Sequence, residues 1–580
     1  MGPLADPPLL EESQTVASST VPHASRWLEG TVAAIDRNAR WAMAGLIFIE
    51  AALLLHMGRE LTFFYDDWDF VTHDYGGGLH SLLAAHVGNI SVFPVAAYKV
   101  LFHLVGLDHY TVFRLAVVVL HLFAASLIFT LARRRIANLP ALLAASLILF
   151  LGAAWEDLLW AFQIGYLLSI VGGLAAWCLL ERRDRAWDLL ATGCLVLAVG
   201  SSSLGIPLVV GVAVELAWRR DWNRGFVVAV PALLYVAWYL GHGESEVTSG
   251  SLINAPGFAV DLAAAAVGAL VGRGLDWGRP LALVGLLVLL RRLSGSTPIS
   301  ARLAGLLATG LSLWVITATA RSTTSAPETS RYVYLGAVVV VLVGVELLRG
   351  LTITPQAMAS AAVLVGLCAI TGLTPLYNGA SGLRSTSKVV AAELGALEIA
   401  AAYAPPGYQP DSQRAPQIAA GTYLHTVRAI GSSPADSPAT ITSADAVSRG
   451  AADGVLLALE APKLTPYATK VRSSAPAPQV LGLLGGTQAR LGGCTEFSPG
   501  PGATMSAVIL LPRSGVVLGD GGTAPATLAL RRFGDAFAPI ASALGPRSTG
   551  RLTIPPDTAP QPWYAQVVSS SALTICAVAG

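Results

Sequence analysis

The residues able to do chemistry gather in a few polar islands, and the densest is FFYDDWDF, Phe63 to Phe70. Asp66 and Asp67 stand side by side among Phe63, Phe64, Tyr65, Trp68 and Phe70. A carboxylate held among aromatic rings is partly dried, and its pKa rises toward the range useful to a general base. A pair of acids can also hold a divalent cation. The competing reading is a solvated loop; the aromatic bracket and the nearness of an apolar run weigh against it. A second acidic-aromatic island follows at Trp155, Glu156 and Asp157, with Trp160 and Gln163 behind it. Five of the ten histidines (His73, His80, His86, His103 and His109) lie close after the acidic pair. None shares the i, i+4 spacing of a helical zinc motif.

These islands need a scaffold, and composition says which kind. Of 580 residues, 54% are hydrophobic and 13% charged, where a soluble domain carries about 25% charged. The net charge of +1 and the lack of a basic block exclude a nucleic-acid binder. Apolar runs close to the roughly 20 residues that cross a bilayer recur through the first two-thirds of the chain. The pattern predicts an α-helical polytopic membrane protein with about eleven spans: 41–58, 111–132, 139–154, 163–180, 187–201, 204–218, 225–241, 280–292, 301–320, 332–349 and 357–374. Arginine clusters at 133–135, 182–185, 219–224, 291–292 and 349 flank alternate span ends, which places those ends in the cytoplasm. The N-terminal segment, 1–40, is then cytoplasmic; it is rich in Pro, Ser and Glu to about Ser25 and reads as disordered. The C-terminus is outside. The run Phe258 to Gly272 is apolar enough to span, but a twelfth span would break the charge parity, so it is expected to be a helix lying in or dipping into the outer interface.

The acidic pair therefore falls in an external loop, 59–110, between the first two spans. Leu79–Val87 and Val92–Val105 have helical apolar spacing within it, and a loop this long is usually functional. The transmembrane region is expected over 41–375. Beyond it, 376–477 reads as a mixed external linker with an amphipathic helix at 385–403. Short alternating apolar runs separated by turn residues then predict a β-sandwich or jelly-roll domain over 478–580. Cys494 and Cys576 sit at its two ends. Outside the cytoplasm they are expected to form a disulfide; two buried free thiols are the alternative.

A first span, an external acidic pair beside aromatics, interfacial helices and many further spans resemble the GT-C membrane glycosyltransferases, over about 41–375. The stretches YDDWDF, HVGNISVFP and GLDHYTVFRLAVVVLHL are similar to actinobacterial multi-spanning members of that class. The resemblance implies a glycosyltransferase that moves a sugar from a polyprenyl-phosphate donor to a cell-envelope glycan or protein on the outer face of the lipid bilayer. It implies Asp66 as base, with Asp67 as supporting acid or as ligand to a divalent cation, Mg or Mn; many members carry Asp-Glu here. Arg331, in SRYVYLG, and Arg321 are the implied phosphate contacts, since guanidinium matches phosphate oxygens bidentately; an interfacial anchor is the plainer role for Arg331. Glu156, Asp157, His86, Asn89 and Trp68 are the expected substrate contacts, and Arg114 is expected to pair with an acid of the loop. The tail loosely resembles carbohydrate-binding sandwiches, with Trp563 and Tyr564 available to stack on sugar. The alternatives are a transporter or flippase for a lipid-linked glycan and a non-catalytic envelope scaffold. The flippase would need ionisable residues deep in the spans; Glu50 and Glu215 come nearest, each expected at an interface.

Overall fold

A backbone in hydrocarbon has no water to satisfy its N–H and C=O groups, so apolar runs of this kind close their hydrogen bonds as helices. The computed structural model describes residues 30–578 apart from 79, 87, 296–297, 460–461, 469–474, 541 and 558. The segment read as disordered to about Ser25 lies outside the described residues, whereas 30–37 are already helical. Among the described residues nine helices are long and apolar enough to cross a membrane. They are Ala39–Met57, Tyr110–Arg133, Asn138–Leu159, Ala161–Leu180, Trp222–His242, Ser249–Leu270, Ala301–Arg321, Ser330–Leu348 and Pro355–Ile399. The chain is a multi-pass membrane protein. Its lipid-facing surface carries exposed side chains such as Leu233, Leu240, Leu287, Val363 and Ile370.

The tally differs from the expected eleven for identifiable reasons. Arg185–Ser201 and Gly205–Trp218 have 17 and 14 residues, about 25 and 21 Å of helix against a hydrocarbon core of about 30 Å. Leu275–Leu293 carries Asp276, Arg279, Arg291 and Arg292. The run expected in the interface is part of Ser249–Leu270, which is long and apolar enough to cross. Yet both its ends meet the same connection between two neighbouring spans. Ser322 Oγ donates to the Ser251 carbonyl (2.9 Å), and Leu275 N donates to Glu328 Oε2 (3.4 Å). The helix therefore starts and finishes at one end of the bundle.

Local sequence signals set several helix starts. Thr248 and Ser251 form a capping box. Ser300 Oγ accepts from Leu303 N, and Thr354 Oγ1 accepts from Ala357 N ahead of Pro355 in the first turn. Such caps satisfy amides that the helix itself leaves open. From Pro355 one helix of 45 residues continues through Pro375 to Ile399, so the expected last span and the amphipathic helix after it are a single element. Its first half exposes Val363, Leu364 and Leu367, while Val389–Leu397 is buried beneath the tail.

The tail then forms short helices, chiefly Ala420–Ile430 and Ala446–Ala458, and two antiparallel sheets. One runs, edge to edge, Ala538–Pro539, Thr527–Arg531, Trp563–Ser569, Met505–Leu511, Val480–Leu484. The other runs Lys463–Pro466, Thr549–Thr553, Val516–Asp520, Leu573–Ala577, Cys494–Pro499, Gly486–Leu491. Strict inside-outside alternation along Met505–Leu511 and Trp563–Ser569 is the period-two pattern of strands with one buried face. The first strand begins at Lys463, ahead of the expected boundary at 478. Cys494 and Cys576 are directly opposed across adjacent strands and are disulfide-bonded.

Candidate functional site

The loop between the first two spans is fastened before it presents its acids. Arg114 is 1% exposed and donates to three carbonyls: Leu54 (3.1 Å), Gly58 (2.6 Å) and Leu159 (3.0 Å). It caps the end of the first span, where a cation suits the helix dipole, and does not pair with a loop acid as expected. Gly58 leaves the room this requires; a Cβ there would lie 1.7 Å from Arg114 Nη2. Thr62 N donates to Ser387 Oγ and Arg384 Nη1 to the Met57 carbonyl, so the tail's long helix grips the same end. Tyr65 then takes the left-handed conformation, φ 46°, uncommon outside glycine, and turns the chain into the short helix Asp67–Asp69 and the π-helical turn Phe70–Asp74.

The adjacent acids part company here. Asp67 is fully buried and accepts from Phe64 N (2.9 Å), Tyr110 Oη (3.0 Å), Trp160 Nε1 (3.1 Å) and Tyr98 Oη. Burial pushes its pKa up to about 7, while the four donors pull the other way. With four donors, its oxygens are spoken for. The aromatic bracket is largely core: Phe63 packs edge-on against Tyr110 and Phe113 at 4.9 and 5.2 Å. Trp68, expected as a substrate contact, is wholly buried in this core against the ring of Tyr423.

Asp66 faces the other way, into a cavity that it lines together with Arg331, Arg321, His86, Asn89 and Gln163. Burial pushes its carboxyl up to about 6, nearby Asp69 adds to the rise, and Arg331 and Arg321 oppose it. Arg331 is the first residue but one of the helix Ser330–Leu348. Its guanidinium lies 3.4 Å from Glu156 Oε1, and its backbone N–H donates to Glu156 Oε2 at 3.0 Å. Arg321 pairs with Glu246 at 2.8 Å. Glu156 thus backs Arg331 and itself lines a second cavity, beside Gly272–Leu275 and Ser330. Asp157, expected to touch substrate, is fully buried with no hydrogen-bond partner on either oxygen. His86 and Asn89 reach the Asp66 cavity from a two-stranded hairpin, Ala85–His86 with Asn89–Ile90.

The structure thus gathers six expected or noted residues round one cavity and leaves Asp67, Trp68 and Asp157 beneath it. It also adds residues the sequence reading did not assign, including Tyr166, Tyr332, Ser201 and Ser202. No group of three ligand-type side chains converges among the described residues, and Asp67 has spent its oxygens on protein donors, so these residues do not fit the expected divalent cation site. Glu50 is 1% exposed inside the first span, not interfacial. Glu215 is buried too, held by Arg302 at 2.8 Å and by Arg219.

The opposite end of the bundle is basic and paired. Glu181 bridges Arg134 and Arg135 (2.7 and 2.9 Å), and Glu346 meets Arg135 (3.4 Å) and Ser300 (2.8 Å). Tyr110 touches Asp67 at one end of its helix while Arg133 closes the other. The acidic cavity and the arginine clusters therefore sit about 35 Å apart along a 24-residue helix.

No protein-family model matches this chain, and no curated protein matches it. Among solved structures, ArnT from Cupriavidus metallidurans is similar both in the apo state and bound to undecaprenyl phosphate. In each case the identity is 13%, the match covers 63% of this chain and 81% of that one, and the TM-score is 0.41.

Proposed function

We propose that this chain is a membrane glycosyltransferase of the GT-C class. It takes a sugar from a polyprenyl-phosphate donor and adds it to a hydroxyl of an extracytoplasmic cell-envelope glycan or protein. The observation that carries this reading is the meeting of one half-buried carboxylate, Asp66, with two guanidinium groups, Arg331 and Arg321, on the wall of one cavity. It lies at the end of the bundle away from the arginine clusters, where the positive-inside rule puts the outer face. A lipid-borne donor can reach such a site by lateral diffusion.

The chemistry follows from the groups. Asp66 accepts the proton of the acceptor hydroxyl, whose oxygen forms a bond to the anomeric carbon. The bond from that carbon to the phosphate oxygen breaks, and polyprenyl phosphate leaves with the electron pair. Inversion follows from this single displacement. Arg331 and Arg321 offset the charge growing on the phosphate, the kind of fixed electrostatic help that dominates many enzymes. Glu156 holds Arg331 in place from behind, and Asp67 holds the turn that aims Asp66. The flippase and the scaffold are the alternatives; neither requires a carboxylate pKa raised to about 6 beside two cations.

The test is glycan analysis of a deletion strain, followed by membrane assays with candidate polyprenyl-phosphate sugars. Asp66→Asn is expected to abolish transfer with expression and insertion intact. Wild-type turnover in that variant would end the assignment.

A further inference from the structure

Three polar atoms on residues lining the Asp66 cavity have no hydrogen-bond partner: His86 Nδ1, Gln163 Oε1 and Gln163 Nε2. Buried polar atoms in native proteins are nearly all paired, because an orphan forfeits its hydration for nothing. Neither side chain is loosely placed. His86 Nε2 lies 2.6 Å from Asp74 Oδ2, with both side chains buried. The Phe70 ring packs edge-on against the imidazole, centroids 5.1 Å apart. Asp74 closes the π-helical turn Phe70–Asp74, a distortion common at functional sites. Gln163 ends the short turn Ala161–Gln163 and is 1% exposed. Nε2 is committed to Asp74, so Nδ1 is the nitrogen left for a ligand.

We propose that His86 and Gln163 form the subsite that reads hydroxyls of the transferred sugar, with Asp74 as the positioning residue for His86. The proposal deepens the glycosyltransferase reading and rests on it. A hydroxyl both donates and accepts, so it satisfies the imidazole nitrogen in either protonation state. The Gln163 amide offers an acceptor and two donors, a pattern that adjacent hydroxyls on a sugar ring can meet. A carboxylate on the sugar would bring no proton to Gln163 Oε1 and would face Asp66. A deoxy sugar would leave a buried amide unpaired, the situation in which polar sites discriminate most sharply. The subsite shares its cavity with Arg331 and Arg321, the proposed phosphate contacts, so the sugar it reads is the one attached to that phosphate. The ligand class is a neutral sugar with adjacent free hydroxyls.

The experiment measures binding to the full chain in lipid nanodiscs. The probes are farnesyl phosphate and farnesyl-phosphoryl conjugates of a neutral pentose, a neutral hexose and a uronic acid. Farnesyl phosphate alone is expected to bind and to be weakened by Arg331→Ala. At least one neutral conjugate is expected to bind about tenfold tighter than farnesyl phosphate, as two added hydrogen bonds would give. His86→Phe, Gln163→Leu and Asp74→Asn should each erase most of that gain and leave the affinity for farnesyl phosphate unchanged; a merely structural role would move both. Retention of the full gain in His86→Phe and Gln163→Leu, preference for the uronic acid, or no gain from either neutral sugar overturns the subsite alone. If farnesyl phosphate fails to bind the wild type, or binds Arg331→Ala equally well, the transferase reading falls and the subsite with it.

Discussion

The side-chain amide of Gln417 donates from Nε2 to Asp66 Oδ1 at 3.3 Å, across 351 residues of sequence. The C-terminal tail thus reaches the acid at the heart of the proposed site. It is anchored nearby, since Leu107 N donates to Ser432 Oγ at 2.7 Å and Lys388 pairs with Glu60 at 3.1 Å. The tail is part of the wall that orients Asp66. Gln417→Ala is expected to lower kcat by roughly three- to tenfold, the worth of one hydrogen bond, with little change in the donor KM. Steady-state kinetics on purified protein check this, and an unchanged kcat would remove Gln417 from the site.

The base has a defined pH signature. Burial raises the Asp66 carboxyl from 3.8 to about 6, nearby Asp69 adds to it, and Arg331 opposes it. Protonated below that value, it cannot accept a proton, so kcat/KM is expected to rise with pH through about 6 and then level. Arg331→Ala removes an opposing charge, so its rising limb should move to higher pH. For folding the sign is the reverse: a raised carboxyl pKa favours the fold at low pH, and that contribution fades as pH climbs from 3.8 to about 6. A pH–rate profile that is flat between 5 and 7, on the order of the shift expected for such a group, would rule Asp66 out as the base.

Arg331 is expected to act on the departing phosphate. Arg331→Ala should cost on the order of a hundredfold in kcat/KM, as loss of a preorganised donor does. Arg331→Lys should recover only part, because a point charge cannot replace the bidentate fork. Glu156→Gln should fall between wild type and Arg331→Ala, since it loosens the guanidinium without removing it. Transfer assays across the three variants would expose a mere interfacial anchor as three near-normal rates.

Asp67 is expected to matter for folding more than for turnover. Asp67→Ala would orphan buried donors on Tyr98 and Tyr110, each at a cost of roughly 1–3 kcal/mol. A clear fall in melting temperature, by several degrees on the usual scaling, is the expected result. Asp67→Asn keeps one acceptor oxygen and should lie between. Thermal unfolding in detergent distinguishes this from a catalytic role, which would spare stability.

The Cys494–Cys576 bond ties two adjacent strands of one sheet across a sequence separation of 82 residues. Replacing both with serine should cost the tail about 2–4 kcal/mol. Limited proteolysis would show it as faster cleavage after about residue 460, with the membrane helices still protected.

Much of this protein is written along the chain. Periodicity and apolar length determined most of the membrane helices, because a lipid-buried backbone has so few conformations open to it. Alternation near the C-terminus marked the strands, and arginine spacing separated the two ends of the bundle, where the structure holds Arg134 and Arg135 against Glu181 and keeps Asp66 far away. What the chain could not express is which of two neighbouring acids faces the cavity. Consecutive residues in a tight turn point in different directions, and the left-handed Tyr65 decides the rotation. Nor could it show that Trp68 fills the core or that Gln163, Asp74 and Gln417 belong with Asp66. Those are consequences of packing between elements hundreds of residues apart, and only the folded chain brings their partners within hydrogen-bond reach.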